Sequence, residues 1–362
     1  MVKVLGLVAF ICGASLVLGS DREFGHPLFR TFTGHDYGQV GQILAVTEDP
    51  QGPMLFGCDN AILAFDNSRW QTIPLPGAGT IRSFAVDPRG TVWFCTGSQI
   101  GYLSRVHGQY YPVKVFSGAF GAGPQMVVDV GRVYLSTETG LFIWNSGAMV
   151  QQLSSADPLN PFSLASTHGR IKVGGQNGSI YELDGNRLTR IADSPPEKPS
   201  AIRAIVDCPI GEGIVVNMSG MFQRSGGRLL PWKTDIDALL DRSEIFTAKW
   251  ILGKYLAVLL RNSGVYLLDK EGRLVESFTV NSGLADAGFE AAGEDRDGGL
   301  WVCTDTEITR IQSGIGYTEF DHELGLPKGF VTGVARFHGK IYATTQHGVS
   351  VLTAADDRAD PA

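Results

Sequence analysis

The chain has 362 residues, of which 19% are charged and 46 are glycine, and its formal net charge is -7. So acidic a chain, with no basic run, argues against nucleic acid and an anionic membrane surface as partners. The length exceeds one ordinary sandwich, and the glycine content with short apolar runs points to a turn-rich all-β chain.

Met1 to Ser20 has a basic start at Lys3, an apolar run from Val4 to Leu18 and the small residues Gly19 and Ser20 before Asp21. That is the layout of a secretory signal peptide (1–20), cleaved near Gly19 or Ser20. An uncleaved anchor is the alternative, although an apolar run of about fifteen residues is short for a span. Cleavage removes Lys3 and takes the formal charge from -7 to -8. The expected location is therefore secreted or periplasmic, with no membrane insertion after the leader is removed.

After the leader comes FRTFT, Phe29 to Thr33, and then a four-stranded pattern that repeats along 28–353. Its clearest copy is Ile81 to Val113. IRSFAV is reversed by DPRG into VWFC, TGSQ turns into IGYLSR, and VHGQ turns into YYPV. Second strands matching VWFCT at Val92 begin at Met54, Val133, Ile171, Ile214, Leu256, Leu300 and Ile341. A glycine precedes each: Gly52, Gly90, Gly131, Gly169, Gly213, Gly253, Gly298 and Gly339, as a tight turn needing positive φ requires. A lone sheet of this kind has two open edges and two partly apolar faces, so it needs neighbours like itself. Eight copies at a spacing of about forty residues predict a single β-propeller of about eight four-stranded blades. Seven blades with one degenerate copy is the alternative, and copy five, whose turn is lengthened by DCPIGEG, is the weakest.

Within copy five to six, Thr234 to Arg242 carries Ile236, Leu239 and Leu240 at helical spacing and predicts a short helix at a blade junction. Copy eight ends at Leu352 without a fourth strand, and 354–362 is a short polar tail. Phe29 to Thr33 is expected to supply that missing outer strand, so that the N-terminus closes the last blade.

Four cysteines follow the leader: Cys58, Cys95, Cys208 and Cys303. Cys95 and Cys303 stand where other copies have Gly57, Ser136, Gly174 and Thr344. A small buried residue suits that position, and equivalent positions in adjacent sheets lie roughly 10 Å apart, too far for a disulfide. Buried free thiols are expected there, with Cys58–Cys95 the one pair left open. No zinc spacing is present, and no metal or other cofactor is expected.

Copy one (AVTEDPQGPMLFGCDNAILAF), copy two (FAVDPRGTVWFCTGSQIGYL) and copy seven (AAGEDRDGGLWVCTDTEITRI) resemble the two-component regulator propeller repeat. The resemblance implies an extracytoplasmic sensor-type propeller, of a family that often recognises carbohydrate. Copy two also resembles the streptogramin lyase propeller, which implies a histidine acid or base beside a carboxylate-held magnesium ion. The scaffold matches that family, while its catalytic constellation has no counterpart in this sequence; Glu319 and His322 fall on an outer strand.

Ligands of propellers usually meet the face that carries the turns from strand two to three and the connections between blades. Those segments contribute His35, Asp36, Tyr37, Gln99, Glu138, Gln176, Arg261, Asn262, Asp305, Gln346 and His347 as candidate ligand-binding residues. Amides, carboxylates and a stacking Tyr37 or Trp232 suit a polar small molecule, a glycan or a partner protein. Such residues also occur in turns for their backbone tolerance alone. No catalytic signature accompanies them, and a lyase, a hydrolase or an interaction scaffold are the alternatives to a binding module.

Overall fold

The computed structural model describes residues 28–352 apart from 39, 122–124, 130, 138–139, 146, 155–160, 168, 185–186, 195–199, 219, 285, 313–318 and 321–324. The expected leader and polar tail lie outside the described residues. The chain divides into two compact units, one of them Pro27–Tyr317, the other containing the described part of Thr318–Ala362.

The all-β propeller architecture is observed. Among the described residues there are eight antiparallel sheets, one for each copy of the repeat. Sheets 1 to 6 span 45–74, 81–117, 125–154, 161–193, 202–231 and 245–278, each pairing four strands in chain order. Copy five forms a complete sheet despite its long turn. Of the turn glycines singled out by the repeat, all but Gly52 have positive φ; Gly90 and Gly298, at 83° and 79°, are typical. A side chain is disfavoured there, which is why the repeat keeps glycine.

Sheet 7 has the order Leu28–Thr33, Glu307–Gln312, Gly299–Cys303, Ala291–Glu294. This corrects the expected closure. The N-terminal strand completes copy seven rather than copy eight, pairing Phe29 with Ile311, Thr31 with Thr309 and Phe32 with Ile308. Its two aromatic residues point to opposite faces and explain the choice. Phe29 meets Phe278 of sheet 6 at 6.0 Å, whereas Phe32 meets Phe65 and Trp70 of sheet 1 at 4.8 and 5.2 Å and stacks on Trp301 at 6.0 Å. Sheet 7 thereby packs against both neighbours.

Within this unit the seven sheets form a closed ring, because an apolar layer fills every junction. Sheet 1 packs on sheet 2 through Leu55, Ile62, Ile81 and Phe94, and sheet 6 on sheet 7 through Leu259, Val265, Leu300 and Ile311. The ring closes where Phe56, Cys58 and Leu63 of sheet 1 meet Trp301, Cys303 and Ile308 of sheet 7. With both faces buried, second strands such as Met54–Cys58 and Val92–Thr96 are buried at every position.

Copy eight gives a three-stranded sheet, Val331–Phe337, Lys340–Thr345 and Gly348–Val351, in the other unit. Several of its apolar side chains are exposed, among them Val334, Phe337 and Val349. The predicted helix is present as one turn, Asp237–Leu240, with Asp237 accepting from Thr234 N at 3.1 Å and Ile236 buried between sheets 5 and 6.

All four cysteines are free, with Cys58, Cys95 and Cys303 buried. Cys95 belongs to the layer between sheets 2 and 3, a different junction from that of Cys58, which rules out the pairing left open by the sequence.

Candidate ligand-binding face

The turns between second and third strands and the connections between sheets meet at one end of the ring, where hydrogen bonds tie them together. Asn60 has φ 54°, and its side-chain oxygen accepts from Gly79 N at 2.9 Å. Asp59 accepts from the Thr80 hydroxyl. The backbone of Gly118 and Phe120 donates to Ser98 and Gly97, at 2.9 and 2.8 Å.

Of the residues expected to bind ligand, His35, Asp36, Tyr37, Gln99, Gln176, Arg261, Asn262 and Asp305 are distributed over this end. His35, Asp36 and Tyr37 form a single helical turn after the closing strand, in which Asp36 accepts from Thr33 N at 2.8 Å. Tyr37 donates its hydroxyl to Thr306 O at 3.2 Å and packs 5.3 Å from Trp70. Burial raises its pKa, helped by nearby carboxylates including Glu307 and Asp36. Asp305 accepts from Gln42 Nε2 at 2.9 Å, so these residues share one corner of sheet 7.

Arg261 and Asn262 lie on the next turn, of sheet 6. Arg261 lies 3.4 Å from Glu290 and over the Phe246 ring at 4.8 Å. Asn262 has φ 58° and donates its backbone N–H to Ala287 O at 3.1 Å. Gln99 reaches from sheet 2 to Gly77 O at 3.3 Å, while Gln176 is exposed on sheet 4. Glu138 lies outside the described residues, as does His322. Gln346 and His347 occupy a turn of the other unit, their side-chain nitrogens 3.2 Å apart. Many of these groups thus hold one loop to another.

None of the expected residues lines the larger concavity. A cavity of about 380 Å³ lies along the inner strands of sheets 3 to 6, where Gln125, Arg203, Asp207, Thr247, Lys249 and Trp250 contribute to its wall. Arg203 reaches this position through a β-bulge. Ile202 pairs with Asn217 and Ala204 with Val216, which leaves Arg203 as the extra residue, and its guanidinium pairs with Glu244. The same irregularity recurs at Arg82 and Phe246. A sequence signal for it existed in the repeated Ile-Arg at 81–82 and 202–203, opening the first strand of copies two and five.

Gln125 accepts from Leu164 N at 3.2 Å, which leaves its amide N–H groups available. Burial lowers the pKa of Lys249, and the carboxylate of Glu294 works against that shift.

A second cavity, of about 270 Å³, lies at the junction of sheets 7, 1 and 2 and is lined by Glu48, Arg105, Asp295 and Arg296 among others. Arg296 is already engaged there, its Nε donating to Glu48 at 2.6 Å and its Nη2 to Gly52 O at 3.0 Å. Among the described residues no group of three or more His, Cys, Asp or Glu side chains is placed to hold a metal ion. Nor is any helix among them long and apolar enough to cross a membrane.

Comparison with solved structures matches this chain to streptogramin B lyase, with a TM-score of 0.64 and 13% identity over 78% of this chain and 97% of that one. The extracellular domain of the putative hybrid two component system BT3049 from B. thetaiotaomicron matches with a TM-score of 0.63 and 14% identity, covering 91% of this chain and 49% of that one. That of the putative one component system BT4673 from the same organism gives 0.64 and 12%, covering 88% and 45%. The shared fold is the β-propeller. Both neighbours suggested by the repeat are thus present among propellers of this shape, at identities that speak for fold alone. The chain spans a little under half the length of the two extracellular domains. No family model and no curated protein matches it.

Proposed function

We propose that this chain is an extracytoplasmic, sensor-type binding propeller that recognises a carbohydrate or another polar ligand. The observation that carries the reading is its similarity to extracellular domains of one- and two-component systems, over 88% and 91% of its length. The polar end of the ring and the inner-strand cavity supply hydrogen-bonding and stacking groups suited to such a ligand.

A thermal-shift screen of the purified chain against glycans and divalent metals tests the proposal. A ligand present at a hundred times its dissociation constant stabilises the fold by about 2.7 kcal/mol. Saturable stabilisation by at least one glycan, without metal, is the expected result. Silence toward every glycan overturns the carbohydrate reading and favours an interaction scaffold, and metal-dependent turnover overturns the binding reading in favour of a lyase.

A further inference from the structure

We infer that the cavity along the inner strands of sheets 3 to 6 binds a small acidic saccharide, with Lys249 as counter-ion to its carboxylate and Gln125 and Thr247 serving its hydroxyls. This rests on the reading of the chain as a ligand-binding propeller, and goes beyond it by assigning the site and the class of ligand.

The central observation is a cation without a partner. Lys249 lines the cavity and is only partly exposed, yet among the described residues it makes neither hydrogen bond nor ion pair. Glu294 is the carboxylate whose charge it feels, and that group already accepts from Leu252 N at 2.7 Å. Partial burial of an unpaired ammonium costs free energy that a bound anion would offset. The depressed pKa of Lys249 is the electrostatic trace of the same situation.

The other cation of the wall is differently placed. Arg203 is paired with Glu244, so the planar fork that suits a phosphate is already engaged by a carboxylate. What remains is the ammonium of Lys249, a compact point charge able to meet a single carboxylate. The same cavity lining includes Gln125 and Thr247, whose amide and hydroxyl can donate and accept, as sugar hydroxyls require. Trp250, packed against the layer between sheets 5 and 6, adds an aromatic surface for the apolar face of a sugar ring. A volume of about 380 Å³ lies near the lower end of small-molecule sites and suits a ligand of monosaccharide size.

Calorimetric titration of the whole chain with D-glucuronate and D-galacturonate, against D-glucose, D-galactose and inorganic phosphate, tests the assignment. The uronates are expected to bind saturably, about tenfold or more tighter than the neutral sugars, and to weaken as salt is raised. In Lys249→Met, uronate affinity should fall by about tenfold or more while circular dichroism and Tm are retained. Should that variant not fold, NMR of the wild-type chain with its lysines reductively methylated gives the same answer, through a Lys249 resonance that moves with uronate and not with the neutral sugars.

Equal affinity for neutral sugars, or an unchanged affinity in Lys249→Met, overturns this inference and leaves the binding function standing. Phosphate binding without uronate binding overturns the choice of ligand class. No binding by any of these probes overturns the site, while the wider glycan screen decides the function separately.

Discussion

Asp295 shows how the repeat uses its turn aspartate. It accepts from Gly299 N at 2.7 Å, from Trp301 Nε1 at 2.8 Å and from Arg310 Nε at 2.7 Å. In copy two, Asp87 accepts from Thr91 N at 2.9 Å and Trp93 Nε1 at 3.2 Å with the same spacing. One carboxylate thus holds a turn and satisfies the indole N–H that the next strand buries. Burial works to raise the pKa of Asp295, but the hydrogen bonds from Arg310, Trp301 and Gly299 together hold it below the ordinary carboxylate value. Its contribution is present above the unfolded pKa and is lost as pH falls through the folded one. Asp295→Asn is expected to cost about 3 kcal/mol in urea unfolding at pH 7, with the gap to the parent protein closing in acid below about pH 4. A gap independent of pH would mean that the charge contributes nothing.

The thiols move in the opposite sense. Burial pushes Cys95 up to about 12, and Cys58 likewise to about 12, with Asp59 adding to the latter. A thiol whose folded pKa is raised stabilises the fold fully below its unfolded value of about 8.5 and loses that contribution as pH climbs toward the folded one. Native protein at pH 8 is expected to leave Cys95 and Cys303 unalkylated, and denatured protein to expose both without reductant. Replacing either by Ala should cost about 1 to 2 kcal/mol, below the 2 to 5 kcal/mol typical of a lost disulfide. A need for reductant before alkylation would contradict the free-thiol state.

At the scale of elements, Leu28–Thr33 matters most because it pairs with Glu307–Gln312, far along the chain, and so closes sheet 7. Thr31 and Thr309 face each other with hydroxyls 3.1 Å apart. Thr31→Cys with Thr309→Cys should therefore cross-link on mild oxidation and raise Tm, whereas Thr31→Cys with Ser350→Cys should not. Cross-linking to Ser350 instead would restore copy eight as the partner. Phe32, buried among Phe65, Trp70 and Trp301, should cost about 3 to 5 kcal/mol when changed to Ala.

For the whole molecule, the seven junction layers belong to Pro27–Tyr317, so this unit contains its own complete core. A fragment of 27–317 is expected to unfold in one cooperative step with the Tm of the ring in the full chain, followed by calorimetry. A broad or greatly lowered transition would show that residues after 317 complete the core. In the other unit Phe337 and Val349 lie on one face of the sheet and Val334 on the other, all three exposed; exposed apolar side chains of that kind favour association in solution.

Local chemistry made the repeat legible. Alternating apolar strands, aspartate turns and glycines at positive φ recur within each copy, and so the eight sheets, their second strands and the short helix near 237 appear in the sequence. The candidate binding residues were legible as turn residues for the same reason, but Tyr37, Gln99, Asn262 and Asp305 turned out to hold neighbouring loops. Ring closure was decided by tertiary structure, because Phe29 and Phe32 select their partners through Phe278 and Trp301, far away in the chain. The cavity was decided there too. Arg203 reaches its wall through an irregular ladder, and Lys249 joins it in one lining only once sheets 3 to 6 stand side by side, a juxtaposition that no strand pattern encodes by itself.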